Sequence, residues 1–269
     1  MTSILIINYK NPPLLRLCLS SLKRVLSADF KHEILVVDIA TSPETRNVVK
    51  EFRDVKLSAF KENIGYTKGV NEGIKASSGD CILILNPDVV PMAGAIENLA
   101  SYLMASADTG LVGPRLLNFD GSIQNSCFRY YTPLIVLCRR SFLGRISFFK
   151  KILDNFIMAD KKLDEPTEAE WLMGSALMAR RKMADKVGLM DEKLFLYMSD
   201  VDWARRFWEN GFKVVYYPHS EMYHYHKRVS KGRFGLLDVF LNKQSRWHLQ
   251  DALKYFYKYG LASRDVNKS

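Results

Sequence analysis

The sequence predicts an α/β fold in which a mostly parallel, doubly wound central sheet is flanked by helices. Three observations carry this. Short runs that are almost wholly apolar recur at residues 4–7, 34–37 and 81–85, the pattern of strands buried on both faces. Stretches with apolar residues at helical spacing alternate with them. Two of the runs end abruptly on a carboxylate, at Asp38 and at Asn86-Pro87-Asp88, as strands do at the edge of an open sheet where ligands bind.

Taken in order, residues 4–9 read as the first strand, broken by Pro12 and Pro13. A helix follows over 14–27, with Leu15, Cys18, Leu19 and Leu22 on one face. Residues 33–38 form the second strand, 43–52 a helix, and 55–60 a third, weaker strand. Residues 65–77 are helical, and Ser78-Gly79-Asp80 turns into the strand that leads to Asn86. The alternation makes the first ~100 residues a nucleotide-binding half. Beyond it come a helix over 95–105, an apolar run at 111–114, and ordered segments at 170–178 and 195–197. A helix opens near Ser199-Asp200, a strand covers 213–217 and ends at Pro218, and a helix covers about 236–259. Residues 129–151 stand apart: they hold Arg129, Arg139, Arg140, Arg145, Lys150 and Lys151, no acid, and interleaved aromatic residues.

The chain of 269 residues is 48% hydrophobic, enough for one large domain with a modest appendage. A formal net charge of +10 calls for an anionic partner: a phosphorylated substrate, nucleic acid or a membrane surface. Four cysteines without metal-ligand spacing favour a reducing cytoplasm. The opening Met1-Thr2-Ser3-Ile4 lacks the basic stretch of a signal peptide, and no apolar run reaches bilayer-spanning length.

Four constellations can carry chemistry. Asp38 and Asp88, each ending a strand on one edge of the sheet, suit a nucleotide diphosphate and a divalent metal; capping of its own turn is the alternative for Asp38. The segment Asn63-Ile64-Gly65-Tyr66-Thr67-Lys68-Gly69-Val70-Asn71 places a glycine at a helix N-terminus, where free N–H groups meet phosphate; a plain capped loop is the alternative. In Ser199-Asp200-Val201-Asp202, Ser199 can cap a helix whose first turn carries Asp200. Asp200 is then either a dipole-matched acid or a general base with a pKa held low by the helix. Asp202 and Arg206 can pair at i,i+4. His224 and His226 share one face of an extended segment, and one of them can ligate a metal or simply be a buried or solvent-facing histidine.

Together these residues resemble the family 2 glycosyltransferases of the GT-A fold, in particular their bacterial rhamnosyltransferase-like branch. Asn8-Tyr9, Val36-Val37-Asp38, Asn63-Ile64-Gly65 with Gly69 and Asn71, and Asn86-Pro87-Asp88 are similar to the family's donor-side motifs, in order. Trp171-Leu172-Met173-Gly174-Ser175-Ala176 resembles its acceptor-side segment. Ser199-Asp200-Val201-Asp202 with Arg206 resembles the element that carries the family's base. His224 followed by Ser230 resembles the segment that closes over the diphosphate, and 244–260 resembles the branch's terminal helix. Ile39 after Asp38, Ser199 in place of a glutamate and Asn86 in place of a first aspartate depart from the pattern.

The resemblance implies a GT-A domain over 1–235, with a nucleotide-binding half (1–100), an acceptor half (101–235) and a C-terminal amphipathic helix within 236–269. It implies metal-dependent inverting transfer of a sugar, first of all L-rhamnose from dTDP-L-rhamnose, in cell-surface polysaccharide synthesis. The acceptor is a saccharide, free or carried on a polyprenyl diphosphate. Asp200 is the implied base. Asn8, Tyr9, Asp38, Asn63, Gly65, Lys68, Asn71, Asn86, Pro87 and Asp88 face the donor. Trp171, Gly174, Asp202 and Arg206 face the acceptor, and Asp88 with His224 holds Mg2+ or Mn2+. A homodimer is allowed, and an anionic membrane surface is an expected partner for the basic, aromatic terminal helix, peripheral at the inner face of the membrane. Two rivals stay in view. A sugar nucleotidyltransferase needs a basic glycine-rich loop after the first strand, where this chain has Asn8-Tyr9-Lys10-Asn11-Pro12-Pro13. A nucleic-acid-binding protein leaves Asp38, Asp88 and Asp200 without a role.

Overall fold

The computed structural model describes residues 1–141, 144, 146–225 and 242–261. Four strands, β1 (Thr2–Asn8), β2 (His32–Asp38), β3 (Val55–Ala59) and β4 (Cys81–Leu85), pair in parallel in the order β3-β2-β1-β4. The helices α1 (Pro12–Val25), α2 (Pro43–Lys50) and α3 (Tyr66–Lys75) connect them. Alternate β1 residues serve opposite faces. Ile4 and Ile6 pack with Leu15, Leu19 and Leu22 of α1, and Leu5 and Ile7 pack with Val70 and Ile74 of α3. The prolines do not precede α1 but form its first turn, with Asn11 as the cap; proline is pre-organised there and its missing N–H costs nothing.

Beyond β4 the sheet becomes mixed. After β5 (Val89–Pro91) and α4 (Ala95–Ala105) the chain forms β6 (Thr109–Leu117), the short β7 (Ile123–Gln124) and β8 (Cys127–Phe128), then α5 (Pro133–Arg140) and α6 (Ser147–Phe156). It continues through β9 (Thr167–Glu168), β10 (Trp171–Leu172), β11 (Ala176–Arg180), α7 (Arg181–Val187), α8 (Ser199–Glu209) and β12 (Lys213–His224). Strand β11 is antiparallel to both β4 and β6, β12 runs parallel to β6, and β5 lies antiparallel on β12.

Strand β12 does not stop at Pro218 as the sequence suggests. A register shift against β6 between Tyr217 and Glu221 accommodates the proline, and the strand runs on to deliver His224 to the carboxyl edge. The basic segment 129–151 also differs from expectation. Tyr130 and Tyr131 are buried, Arg129 pairs with Asp160 at 2.8 Å, and Arg139 bonds the Tyr131 hydroxyl. Its tyrosines therefore offer no platform on which bases could stack.

The last helix, α9 (Lys243–Tyr259), buries Ala252, Tyr255 and Phe256 in the same core as α3 and α8. Arg205 of α8 lies over the Tyr259 ring at 4.1 Å. Of the apolar residues that recur at helical spacing in the terminal stretch, Phe256 belongs to the core, Trp247 lies 4.8 Å from the Phe195 ring and Leu253 is exposed, while Phe234, Leu237, Phe240 and Leu241 lie outside the described residues, as do His226 and Ser230. With Leu249 and Tyr257, Leu253 forms a row that points to solvent. No helix among the described residues is long and apolar enough to cross a membrane.

Candidate active site

The carboxyl ends of β1, β2 and β4 build the floor of the site. Parallel register sets Asn8 beside Asp38, and Asn8 Nδ2 donates to Asp38 Oδ1 at 2.9 Å and to Thr45 Oγ1 at 3.5 Å. Both side chains are fully buried. Asn8 Oδ1 and Asp38 Oδ2 have no hydrogen-bond partner among the described residues. Buried acceptors without donors are costly, and ligand hydroxyl or N–H groups would satisfy them. Tyr9, the next residue, is exposed.

The donor loop follows the same logic. Asn63 Oδ1 accepts from the Gly65 N–H at 2.9 Å, a local turn that ends where α3 begins. Asn63 is therefore a turn former, and Gly65 itself occupies the cap. Gly65 has φ 83°, and a Cβ there would lie 2.6 Å from the Phe195 ring, so only glycine fits. Lys68 stands exposed in the first turn of α3. Asn71 is buried, and its amide donates to Met190 O (2.9 Å) and Glu192 Oε1 (3.0 Å) and accepts from Met190 N (2.9 Å). It clamps the 190–192 loop.

Asn86, Pro87 and Asp88 turn tightly from β4 into β5, closed by Val89 N–H to Asn86 O at 3.2 Å. Pairing of β5 with β12 sets His224 opposite Val89. It brings His224 Nε2 to 3.7 Å from Asp88 Oδ1. Asp88 Oδ1 is buried and has no hydrogen-bond partner among the described residues, and burial pushes the Asp88 pKa up to about 6. The other ring nitrogen, Nδ1, is 2.9 Å from Gln124 Oε1. A carboxylate oxygen and an imidazole nitrogen facing across 3.7 Å fit a shared cation when the nitrogen carries its lone pair. Among the described residues no cluster of three His, Cys, Asp or Glu side chains forms, so any metal here would complete its shell with ligand oxygens.

Asp200 sits at the second position of α8. Met198, with a left-handed φ of 62°, occupies the cap, so Ser199 does not cap α8 as the sequence suggested. Asp200 Oδ2 accepts from the Gly174 N–H at 2.9 Å, and Oδ1 from the Val201 N–H at 3.0 Å. Tyr66 closes the group by donating to Gly174 O at 2.7 Å. The helix terminus does not keep the Asp200 pKa low. Burial outweighs the backbone N–H bonds and raises it to about 6, which makes a stronger base. Burial and the charges of Asp200 and Asp88 both raise the Tyr66 pKa, so this hydroxyl lies within electrostatic reach of both carboxylates.

Three residues read as acceptor contacts are held by groups of the chain itself. Trp171 is buried, stacked on Phe128 at 4.4 Å, with its indole N–H on Arg129 O at 2.8 Å; it is an aromatic strut under the site. Asp202 is fully buried and binds Arg206 (2.9 Å), Lys258 (2.6 Å) and the Tyr259 hydroxyl (2.8 Å). Arg206 spends its remaining donors on Val187 O and Leu189 O. Asp202 and Arg206 thus join α8 to α9 and to the loop before it. Gly174 alone of the four bonds Asp200.

Sequence reasoning missed Asp251 and Gln124. Asp251 is buried and accepts from the N–H groups of Phe195 (3.1 Å), Leu196 (3.0 Å) and Tyr197 (3.0 Å). It therefore holds the loop whose Phe195 packs on Gly65 and whose end starts α8. An aspartate in the middle of an amphipathic helix, on its apolar face, was the available signal.

Residues 3–153 match the family model described as Glycosyl transferase family 2. Over 244 residues the chain is 30% identical to an N-acetylglucosaminyl-diphospho-decaprenol L-rhamnosyltransferase of Mycobacterium tuberculosis, covering 86% of this chain and 77% of that one. It is 23% identical over 194 residues to the dTDP-rhamnosyl transferase RfbF of Shigella flexneri, covering 71% and 59%. Among solved structures, GalNAc-T7 with UDP, GalNAc and Mn2+ superposes with a TM-score of 0.64 at 15% identity, over 100% of this chain and 52% of that one. Mannosyltransferase PcManGT from Pyrobaculum calidifontis, with GDP-Man and Mn2+, gives 0.60 at 15% identity over 99% and 77%. The fold is that of the GT-A glycosyltransferases, and the chain belongs to glycosyl transferase family 2.

Proposed function

We propose that this chain is an inverting, metal-dependent rhamnosyltransferase that moves L-rhamnose from dTDP-L-rhamnose to a polyprenyl-diphosphate-linked saccharide during cell-surface polysaccharide synthesis. The observation that carries it is the pairing of Asp88 Oδ1 with His224 Nε2 at the same sheet edge as the fixed, half-buried Asp200. The sugar and acceptor rest on the names of the relatives at 30% and 23% identity.

In this reading Asp88 and His224 hold Mg2+ or Mn2+, Asp38 and Asn8 take the nucleoside, and the Asn63–Gly65 loop with Lys68 faces the diphosphate. The metal, when bound, supplies positive charge where the leaving diphosphate gains negative charge. Asp200 accepts the proton of an acceptor hydroxyl as its oxygen bonds the anomeric carbon from the face opposite the diphosphate. The bond from that carbon to the diphosphate oxygen breaks, and the anomeric configuration inverts. Gly174 and Val201 keep the base in place, and Tyr66 holds Gly174.

The exposed row Leu249, Leu253 and Tyr257 on α9, with Lys243 and Arg246 nearby in sequence, rests on an anionic bilayer and meets the lipid-linked acceptor there. Lys258 is paired with Asp202 at 2.6 Å, while Lys254, half exposed, keeps its charge as it donates to Lys193 O at 2.6 Å.

A thermal-shift panel of nucleotide sugars, with and without Mn2+, tests the donor assignment. Only a ligand of the native state stabilises it by mass action. The expected result is stabilisation by dTDP-L-rhamnose that grows with Mn2+ and disappears in Asp88→Ala. Equal stabilisation by every nucleotide, with no effect of Mn2+, would overturn it.

A further inference from the structure

We infer that Gln124 is a positioning residue that locks His224 as its Nδ1–H tautomer and so aims the Nε2 lone pair at the position beside Asp88. The inference rests on the metal-site reading and deepens it.

The carrier is a run of hydrogen bonds whose direction is fixed at one end. Asp120 Oδ1 is a carboxylate oxygen and accepts from Ser122 Oγ at 2.6 Å. Having given its proton, Ser122 Oγ accepts from Asn118 Nδ2 at 2.8 Å. That orients the Asn118 amide, whose Oδ1 accepts from Gln124 Nε2 at 2.7 Å. The same Gln124 nitrogen also donates to the His224 carbonyl at 2.8 Å. Gln124 Oε1 therefore faces the imidazole, 2.9 Å from Nδ1. An amide oxygen only accepts, so the ring must carry its proton on Nδ1. Flipping the Gln124 amide would set its oxygen against two acceptors, Asn118 Oδ1 and the His224 carbonyl, which rules out the reverse polarity.

The scaffold for this is rigid. Gln124 lies on β7, paired with Leu116 of β6, and β6 pairs with β12, which carries His224. The imidazole is 4% exposed and cannot swing out. With Nδ1 protonated, the neutral ring offers its lone pair at Nε2, the atom 3.7 Å from Asp88 Oδ1. Metal-binding histidines commonly donate their second N–H to such a partner, and losing it typically costs about 10–100-fold in metal affinity.

The test has a spectroscopic arm and a binding arm. In uniformly 15N-labelled protein at alkaline pH, long-range 1H–15N spectra report each histidine's tautomer, and His224→Gln assigns the signal. Wild type should show His224 as Nδ1–H, and Gln124→Met should lose that form. In the binding arm, Mn2+ alone is titrated and free ion is read by EPR. Gln124→Met should bind about 10–100-fold more weakly. Gln124→Glu keeps an acceptor against Nδ1 and should keep the Nδ1–H signal, although its second oxygen, set against Asn118 Oδ1 and the His224 carbonyl, costs stability. An Nε2–H tautomer in wild type overturns the inference. So does Mn2+ binding by Gln124→Met equal to wild type where Asp88→Asn abolishes it. If Asp88→Asn also binds normally, it is the metal reading that fails, and the tautomer spectra alone decide the role of Gln124. Should Gln124→Met not fold, the wild-type spectrum and Gln124→Glu carry the test.

Discussion

The Gly174 amide donates to Asp200 Oδ2 at 2.9 Å, and the contact exists because residue 174 has no side chain. A Cβ at 174 would lie 3.1 Å from that oxygen and 3.3 Å from the Asp200 Cβ. Gly174→Ala is expected to displace the carboxylate and lower kcat by about 10–100-fold, the scale of one hydrogen bond to a charged group. Donor affinity, measured by calorimetry, should stay within a few-fold. A kcat equal to wild type would mean that Asp200 does not need this amide.

Asp200 and Asp88 both have pKa values raised to about 6 by burial. The activity profile of kcat/KM should therefore rise as pH passes through about 6, where Asp200 loses its proton, and level off above. Stability runs the other way. A carboxyl whose folded pKa exceeds its unfolded value stabilises the fold below the unfolded pKa and loses that contribution as pH rises through the folded one. Asp200→Asn should thus raise Tm at pH 8 more than at pH 4, read by calorimetry. Equal shifts at both pH values would contradict a raised pKa at this site.

Asp251 ties α9 to the loop 195–197, which packs on Gly65 and leads into α8 and Asp200. Asp251→Ala removes the acceptor of three part-buried N–H groups and should destabilise the fold by about 2–4 kcal/mol in urea unfolding. Asp251→Asn, which can still accept, should recover part of the loss. A change under ~1 kcal/mol for the alanine variant would show that water replaces the carboxylate.

Membrane association should follow the exposed row on α9. Flotation with anionic vesicles is expected at low salt and release at high salt, since each basic residue near such a surface contributes about 1 kcal/mol. Changing Leu249, Leu253 and Tyr257 together to Ser should abolish flotation without loss of fold, because all three side chains already face solvent. Undiminished flotation of that variant would place the contact elsewhere.

The first ~100 residues were legible because their signals are local. Buried strands, glycine at a positive-φ cap and polar strand ends are each written within a few residues, and the register of parallel pairing then aligns Asn8 with Asp38. The rest of the chain was less legible because its side chains are assigned by contacts far apart in sequence. Trp171, Asp202 and Arg206 carry functional residue types, yet their partners at 129, 187–189 and 258–259 make them struts. Helix position alone suggested a low Asp200 pKa, because burial by neighbouring elements cannot be read from spacing. Gln124 carries no motif at all, and only the pairing of β7, β6 and β12 brings it to His224.

The most direct measurement of the central claim is NMR of the glycoside formed from dTDP-L-rhamnose, a lipid-linked saccharide acceptor and Mn2+, by wild type and by Asp200→Asn. Wild type should give a product whose anomeric configuration is opposite to the donor's. Asp200→Asn should bind donor almost normally and lose about 10²–10⁴-fold in turnover. A product with retained configuration, or transfer by Asp200→Asn within a few-fold of wild type, would contradict direct displacement with Asp200 as the base.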